Sequence, residues 1–249
     1  MVVRQVRVAA VVARLNNPRW AGFTTTDACI PLTIIIPVFN EEQDIETCLL
    51  GLQPLRKQGV EVILVDGGSQ DSTCELAVPL VDHVIKSALG RGTQMNTGAT
   101  LAQGKFLLFL HADTVLPPNF SPTMISEIPW GYFPVELSGS AWPFRVIERA
   151  MNLRSKITKI ATGDQAIFIQ SVLFQRIGGF ADIPLMEDVE ICGRLRSVSR
   201  PVLMSSTIVT SSRRWEQQGI VRTVLRMWRL RLAFFFGACP HKLVQQYYL

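Results

Sequence analysis

Three short stretches of the sequence place acidic side chains where a nucleotide or a metal ion could use them. Asp66 is followed by two glycines, which let a backbone approach a ligand closely, and a carboxylate in such a place commonly binds a ribose or a base. Asp113 stands two residues after His111. Asp113 could therefore coordinate a divalent cation, with His111 as a second ligand or as a residue that holds a ligand in place. Glu187 and Asp188 are adjacent, and in a cleft either could act as a general base. These residue types point to a site for a phosphorylated ligand.

Each stretch also has a structural interpretation. An Asp-Gly pair is a common turn between a strand and a helix. Asp113 could cap a turn with Thr114 while His111 only packs. Two acids at the start of a helix could do no more than pair with its dipole. Taken singly, the motifs leave both interpretations open.

Two further segments carry candidate binding residues. Pro37-Val38-Phe39-Asn40-Glu41 puts an aromatic ring and a carboxylate after an apolar run, although Asn40 could be an ordinary N-cap. Arg91, between two glycines, could bring a guanidinium to a phosphate or a carbonyl. The run from Gly90 begins like Gly-x-Gly-x-x-Gly but has Met95 at the last position, so an NAD enzyme is disfavoured.

The elements that must position these residues follow from the apolar pattern. Short β-branched runs alternate with helical patterns, which is typical of βαβ units. The expected fold class is α/β, with a mostly parallel twisted sheet flanked by helices. The candidates follow the runs, at the carboxyl ends of strands, where an open α/β sheet binds its ligand. Strands are predicted at 32–38, 60–65, 81–86, 105–110, 162–170 and 202–209, and helices at 40–53, 95–102, 144–160, 185–197 and 220–236.

Charge divides the 249 residues into three parts. Residues 31–212 hold 14 Lys and Arg against 18 Asp and Glu, whereas residues 213–249 hold 7 against 1. Residues 1–30 are basic as well, with 4 against 1. We predict one α/β domain at 31–212, a basic extension before it, and a basic amphipathic helical tail after it.

The composition bears on the cellular setting. The chain is 48% hydrophobic and 18% charged, with a mean hydropathy of +0.24, which favours a membrane neighbour. No apolar run approaches the roughly 18 to 20 residues that cross a bilayer. Five cysteines without Cys-x-x-Cys or paired histidines indicate neither a disulfide framework nor structural zinc, and residues 1–20 lack a secretory signal. A cytoplasmic location is expected.

Residues 220–236 are predicted to form a basic amphipathic helix. Arg222, Arg226 and Arg229 share one face, although Arg231 interrupts the apolar side. The helix could lie on an anionic membrane surface, or it could pack on the domain with its arginines in water. No signature of nucleic-acid binding is evident, so that partner is not expected. The apolar residues that recur at helical spacing are Val221, Val224, Leu225, Trp228, Leu232 and Phe235.

Together the motifs resemble those of a known family. Thr33 to Glu41, Val65 to Thr73, His111-Ala112-Asp113 and Met186-Glu187-Asp188 stand in the order and spacing of the inverting, nucleotide-sugar-dependent glycosyltransferases of family 2, which have the GT-A fold. The resemblance covers residues 31 to about 215. One position departs from the family pattern, because His111 replaces the first Asp of its Asp-x-Asp motif.

The resemblance implies a role for each candidate residue. Asp113 would bind a divalent cation, Mn2+ or Mg2+, next to His111, and Asp188 would be the catalytic base of the Glu187-Asp188 pair. The nucleotide would be bound by Pro37, Phe39, Asn40, Glu41, Asp66, Gly67 and Arg91. The acceptor or the diphosphate would meet Asp164, Arg213, Arg214 and Trp215.

The implied function is transfer of a sugar from a nucleoside diphosphate sugar, expected to be a UDP-sugar, to a lipidic or other membrane-associated acceptor. The basic tail suggests that the enzyme sits peripherally on the inner face of the cell membrane. The His-Ala-Asp version is similar to a subgroup described as glycosylating carotenoid acids. Two alternatives are a non-catalytic membrane-surface module that binds a nucleotide or lipid, and a sugar nucleotidyltransferase. The latter is weakened because its glycine-rich loop should directly follow the first strand.

Overall fold

The computed structural model describes residues 30–247, apart from the side chains of Arg214 and Gln218. The basic extension predicted at 1–30 therefore lies outside the described residues except for its last residue, as does the segment judged to lack a secretory signal. Across the described range, no helix has both the length and the apolar character that crossing a membrane requires.

The described residues form ten strands in two sheets. The main sheet has the order β3-β2-β1-β4-β8-β6-β9, and β5-β10-β7 form a small second sheet, with residue ranges as follows. The strands are β1 (Leu32–Val38), β2 (Glu61–Asp66), β3 (His83–Lys86), β4 (Phe106–Phe109), β5 (Thr114–Val115), β6 (Trp130–Tyr132), β7 (Val135–Leu137), β8 (Phe168–Gln170), β9 (Val202–Leu203) and β10 (Ile208–Thr210). Strands β1 to β4 are parallel, β8 runs antiparallel to β4 and β6, and β6 is parallel to β9. The predicted α/β fold with a mostly parallel sheet is confirmed.

Nine helices accompany the sheets in the described range. They are α1 (Ile45–Arg56), α2 (Thr73–Ala77), α3 (Arg91–Leu101), α4 (Trp142–Thr158), α5 (Ser171–Arg176), α6 (Glu187–Val198), α7 (Arg213–Gln218), α8 (Ile220–Phe235) and α9 (Pro240–Tyr247). Two helix starts differ from the prediction by four or more residues: α3 begins at Arg91 and not at Met95, and α1 begins at Ile45 and not after an N-cap at Asn40. Asn40 has a φ of 55°, and its side chain accepts the backbone N–H of Gln70 at 2.9 Å, so it fixes a loop instead.

Two predicted strands also differ from the structure. Only the end of 162–170 is a strand, because Gly163–Gln165 form a single 3-10 turn in which Gln165 Oε1 accepts the Thr162 N–H at 3.2 Å. The strand predicted at 202–209 is two strands, β9 and β10, which belong to different sheets. The apolar pattern was correct in both places, but local hydrogen bonding and a bend interrupt the pairing.

The alternation of strand residues divides the core between the two faces of the main sheet. In β1, Ile34 and Ile36 pack in the same cluster as α1, whereas Ile35 packs with residues of α3 and α6. Gly98 lets α3 approach the sheet, since a Cβ there would lie 2.6 Å from Ile35 Cγ2. This close packing fixes the start of α3 above the carboxyl ends of β1 and β2.

The last three helices pack against the rest of the molecule at two places. Val224 of α8 packs in a cluster with Phe144 of α4. Leu230 of α8 and Leu243 of α9 pack with Met186, the residue before α6. The tail is therefore held next to the acidic pair that opens α6.

Candidate active site

One buried amide ties together the carboxyl ends of β1 and β2. Gln94 of α3 donates from Nε2 to the carbonyl oxygens of Val38 and Val65, at 2.8 Å each. The backbone N–H of Gly67 also donates to the Val38 carbonyl, at 2.9 Å. Because buried polar groups in native proteins are paired in this way, the amide sets the spacing of the segments that follow the two strands.

These two segments also hold each other. The Asn40 N–H donates to Ser69 Oγ at 2.9 Å, and the Glu41 N–H donates to Thr73 Oγ1 at 2.8 Å. Phe39 is exposed at the edge of this arrangement. The residues predicted to bind the nucleotide therefore lie together at one end of the sheet, apart from Arg91, which reaches the same region from α3. They are Pro37, Phe39, Asn40, Glu41, Asp66 and Gly67.

Asp66 carries its charge at the end of β2. The residue is buried, and its Oδ1 accepts the Ser69 N–H at 2.8 Å. Burial acts to raise the pKa of Asp66, but hydrogen bonds from the side chain and backbone of Ser69 and from the Cys74 thiol bring that pKa below its ordinary value. An anchored, ionised carboxylate can accept hydrogen bonds from the hydroxyls of a ribose.

Glu41 faces the beginning of α7. Arg213 Nη2 lies 3.5 Å from Glu41 Oε2, and Arg213 Nη1 lies 2.7 Å from Asp44 Oδ2. Burial and the nearby Asp113 carboxylate raise the pKa of Glu41, whereas Arg213 and Arg91 oppose that rise. Arg213, predicted to meet the acceptor or the diphosphate, is thus placed at the Glu41 edge of the site.

Arg91 lies among carboxylates from distant parts of the sequence. It is the first residue of α3, and its positive charge acts to lower the pKa values of Glu41, Glu187 and Asp188. Gly92 allows the start of α3 to pack here, since a Cβ on it would lie 2.9 Å from the Ala181 carbonyl oxygen, with Glu187 Cβ at 3.6 Å. The helix therefore brings a guanidinium between the segment after β1 and the start of α6.

The side chains of His111 and Asp113 make different contacts. Residues 112–113 form a turn after β4, so the alternation of a strand does not extend through them. His111 Nδ1 lies 3.3 Å from Asp164 Oδ1, and a Cβ on Gly163 would lie 2.5 Å from His111 Nε2. Asp113 Oδ1 accepts the Thr114 hydroxyl at 3.2 Å. Among residues 30–247, no three His, Cys, Asp or Glu side chains are grouped so that they could hold a metal ion by themselves.

The two acids at the start of α6 differ in their surroundings. Asp188 Oδ2 accepts the Gly163 N–H at 2.8 Å, and its Oδ1 accepts the Val189 N–H at 2.7 Å. Burial, with a contribution from Asp164, raises the pKa of Asp188, although these two hydrogen bonds oppose the rise. Burial and the adjacent Asp188 raise the pKa of Glu187 to about 6. Both shifts move these carboxylates toward the range in which a general base works well.

Two residues near the acids were not among those predicted from the sequence. Gln165 is fully buried and accepts the Ser155 hydroxyl at 2.6 Å, which fixes the turn that carries Asp164. Arg154 of α4 is partly buried, and burial lowers its pKa while Asp188 and Asp164 act to retain its charge. A neutral glutamine and one arginine among several on a helix give no distinguishing sequence signal.

Trp215 is packed against a hydrophobic cluster. It packs with Phe144, Ile220 and Val224, where α4 meets the tail. The side chain of Arg214, also predicted to meet the acceptor or the diphosphate, lies outside what the structure describes. The predicted nucleotide, metal and base residues are therefore linked by hydrogen bonds and charge interactions, whereas Trp215 takes part in hydrophobic packing.

Residues 33–133 match the family model described as Glycosyl transferase family 2. A curated relative, the undecaprenyl-phosphate 4-deoxy-4-formamido-L-arabinose transferase of Pseudomonas savastanoi pv. phaseolicola, is 24% identical over 194 residues, which are 70% of this chain and 54% of the relative. The chain spans about half or less of the length of the curated relatives that it matches.

Solved structures show the same fold. Glucosyl-3-phosphoglycerate synthase from Mycobacterium tuberculosis, in complex with Mn2+, UDP and glucosyl-3-phosphoglycerate, has a TM-score of 0.58 at 17% identity, covering 85% of this chain and 81% of that one. The mannosyltransferase PcManGT from Pyrobaculum calidifontis, in complex with GDP-Man and Mn2+, has a TM-score of 0.56 at 20% identity, covering 90% and 68%. At these identities the likeness establishes the fold alone.

Proposed function

We propose that the protein is an inverting glycosyltransferase of family 2, because residues 33–133 match that family's model and the fold is shared with solved glycosyltransferases. It transfers a sugar from a nucleoside diphosphate sugar, a UDP-sugar, to a lipidic acceptor. The observation that carries the proposal is the convergence of Glu41, Glu187 and Asp188 on Arg91. A scaffold has no need for such a set of charges in one cleft.

The donor binds across the carboxyl ends of β1 and β2. The ionised Asp66 accepts hydrogen bonds from the ribose, and the exposed ring of Phe39 packs on the base. Arg91 supplies a positive charge for the diphosphate. This arrangement is supported by the contacts that hold the two segments together, because they preform the site before a ligand arrives.

The residues present fit a divalent cation that is shared with the substrate. Mg2+ commonly keeps several waters and binds one or two carboxylates together with substrate phosphates, so a site with few protein ligands suits it. Asp113 is the ligand in this proposal, since both ring nitrogens of His111 face Gly163 and Asp164. The cation, Mn2+ or Mg2+, would neutralise the charge that develops on the departing diphosphate.

Asp188 is the general base. Its two hydrogen bonds to backbone N–H groups hold the carboxylate in one orientation, and its raised pKa strengthens it as a proton acceptor. As the acceptor hydroxyl attacks the anomeric carbon, its proton passes to Asp188. Attack from the side opposite the diphosphate inverts the configuration at that carbon.

The acceptor is a lipid presented at the inner face of the cell membrane, where the protein is bound peripherally. The names of relatives that act with undecaprenyl phosphate support this choice, and so does the basic tail. A carotenoid acid would belong to the same acidic, lipidic class. An acidic acceptor arrives already ionised, so Asp188 would then matter less than it does for a hydroxyl.

The test is incubation of the protein with labelled UDP-glucose, UDP-N-acetylglucosamine or GDP-mannose, a cation and a membrane lipid extract. Glycosyl transfer releases the nucleoside diphosphate and labels a lipid. A nucleotidyltransferase would instead work with sugar phosphate and release inorganic diphosphate. Donor binding without release of any product, in every combination, would overturn the proposal in favour of a non-catalytic module.

A further inference from the structure

The outward face of α8 carries a continuous row of apolar side chains. The five residues of this row are between 59% and 81% exposed, and they recur at steps of three and four residues, so they share one face of the helix. Single exposed apolar residues are ordinary, but a contiguous patch marks a site of interaction. The apolar row consists of Val221, Leu225, Trp228, Leu232 and Phe235.

The apolar row is not the face by which α8 packs on the molecule. Leu230 and Thr223, on the opposite face, are buried, and Val224 packs toward α4. The helix thus packs on the domain, as one interpretation of the sequence expected, but five of its six predicted apolar residues point away from it. What covers the apolar row must come from outside the described residues.

Charge indicates what that partner is. Arg222, Arg226 and Arg229 lie along one flank of the apolar row, and α8 contains no acidic residue. Arg229 Nη2 lies 3.3 Å from the amide oxygen Oε1 of Gln246, and Arg226 Nη1 lies 3.4 Å from the Tyr247 carbonyl oxygen. An apolar face bordered by arginines complements an anionic lipid surface.

The same charge disfavours the other possible occupants. A second copy docked through α8 would bring two rows of arginines together without acids to pair them. Residues 1–30, which also contain short apolar stretches, carry 4 Lys and Arg against 1 Asp and Glu and would meet α8 with like charge.

The inner face of α8 connects this surface to the site. Leu230 packs with Met186, whose φ of 69° sets the turn into α6, and Glu187 and Asp188 follow directly. A bilayer in contact with the apolar row would therefore lie on one side of α8, and the proposed base Asp188 would lie on the other side.

We propose that α8 docks on an anionic bilayer, with the apolar row in the headgroup and acyl boundary and with Arg222 and Arg229 on lipid phosphates. Docking deepens the proposed function, because it brings the cleft to a lipidic acceptor. The role of docking in bringing the acceptor to the site rests on the proposed function, whereas the docking itself does not depend on catalysis.

The experiment is flotation of the full chain with phosphatidylcholine vesicles that contain or lack phosphatidylglycerol. Wild type is expected to float with the anionic vesicles at low salt and to dissociate as salt is added. Each arginine near an anionic surface is worth about 1 kcal/mol, or about fivefold, so Arg222→Gln with Arg229→Gln should weaken binding by roughly thirtyfold. Leu225→Glu with Leu232→Glu should abolish it. The matched control, Val78→Glu with Val172→Glu, changes two exposed apolar residues elsewhere and should bind like wild type.

Several results would overturn the docking. The first two are absence of wild-type flotation and flotation of the Leu225 and Leu232 double variant at the wild-type level. Flotation only after residues 1–29 are removed would also contradict it. So would self-association of the wild type in sedimentation that the double variant loses. Calorimetry with UDP on the same proteins separates the two proposals. A double variant that still binds UDP has lost docking and not its fold, and a wild type that floats but binds no nucleotide contradicts only the proposed function.

Discussion

Asp188 and Glu187 are neighbours in the chain, yet their surroundings give them different tasks. Asp188 is oriented by the N–H groups of Gly163 and Val189 and faces the region of Asp164. Glu187 is buried against the start of α3, where burial and the adjacent Asp188 raise its pKa to about 6. One acid can thus accept a proton from the acceptor, while the other sets the charge around Arg91.

The first prediction concerns the base. Asp188→Asn keeps the size of the side chain but removes the proton acceptor, so kcat with a hydroxyl acceptor should fall by about 10² to 10⁴-fold while the donor KM stays similar. The rate of nucleoside diphosphate release measures this effect. Glu127→Gln, at an exposed acid away from the cleft, is the control. A loss smaller than about tenfold with such an acceptor would refute the base assignment.

The second prediction concerns Glu187 and pH. Because its folded pKa of about 6 exceeds the ordinary 4.5, the native state binds a proton more tightly than the unfolded state. The stability contribution of the protonated form is complete below pH 4.5 and is lost as pH rises through about 6. Glu187→Gln should therefore be more stable than wild type above pH 6, by about 1 to 2 kcal/mol. Urea unfolding on both sides of this window tests it, and an unchanged pH dependence would contradict it.

At the scale of elements, the turn Gly163–Gln165 is the part that joins the separate residues into one site. It supplies the N–H that orients Asp188, places Asp164 against His111, and is anchored by the buried Gln165. Each of these contacts crosses between elements. A small displacement of this turn would therefore shift both Asp188, the proposed base, and His111.

The third prediction follows from this turn. Gly163→Ala would place a Cβ 2.5 Å from His111 Nε2, so the turn or the ring must move. We expect a loss of transfer activity with UDP affinity nearly unchanged, because the nucleotide segments lie at β1 and β2. Gly193→Ala on α6 is the matched control, since nothing lies within 4 Å of its Cβ. Equal activity of the two variants would show that the turn does not position the base.

The sequence predicted the central elements well and the irregular ones poorly. The run at 32–38 was recognisable because a strand buried on both faces is continuously apolar. Strands of two or three residues, such as β5 and β9, carry too few positions for any periodicity. The turn Gly163–Gln165 depends on hydrogen bonds to the Gln165 side chain, from the Thr162 N–H and the Ser155 hydroxyl, which an apolar pattern does not record.

At the scale of the whole molecule, the tail is part of the support of the site. Leu230 is fully buried against Met186, and α9 adds Leu243 to the same cluster. The outer face of α8 carries the apolar row, so this one helix links an exposed surface to the start of α6. Leu230 and Met186 are far apart in the sequence but pack in the same cluster.

The fourth prediction tests the link. Leu230→Ala should cost about 2 to 5 kcal/mol as a large-to-small core change and should also lower kcat, because Met186 loses its support. Leu49→Ala, at an equally buried position under the opposite face of the sheet, should cost similar stability and leave kcat of the folded protein unchanged. Thermal unfolding and donor turnover, measured on both variants, decide between a local and a global effect.

The motifs in sequence order selected residues that the structure brings together, but they did not show how those residues meet. That Arg91 would stand among Glu41, Glu187 and Asp188 depends on the packing of α3, which Gly92 and Gly98 permit. That Val224 would face inward while the apolar row faces outward depends on how α8 packs on the domain. Neither follows from periodicity, because both are set by contacts between distant segments.

Calorimetric titration of UDP tests the proposed donor site most directly. The full chain is titrated in the presence of Mn2+, of Mg2+ or of a chelator, alongside Asp113→Asn and the Glu127→Gln control. We predict binding that requires a cation, is lost in Asp113→Asn and is retained in Glu127→Gln. Absence of nucleoside diphosphate binding with either cation, or cation-dependent binding that Asp113→Asn leaves unchanged, would contradict the proposed donor site.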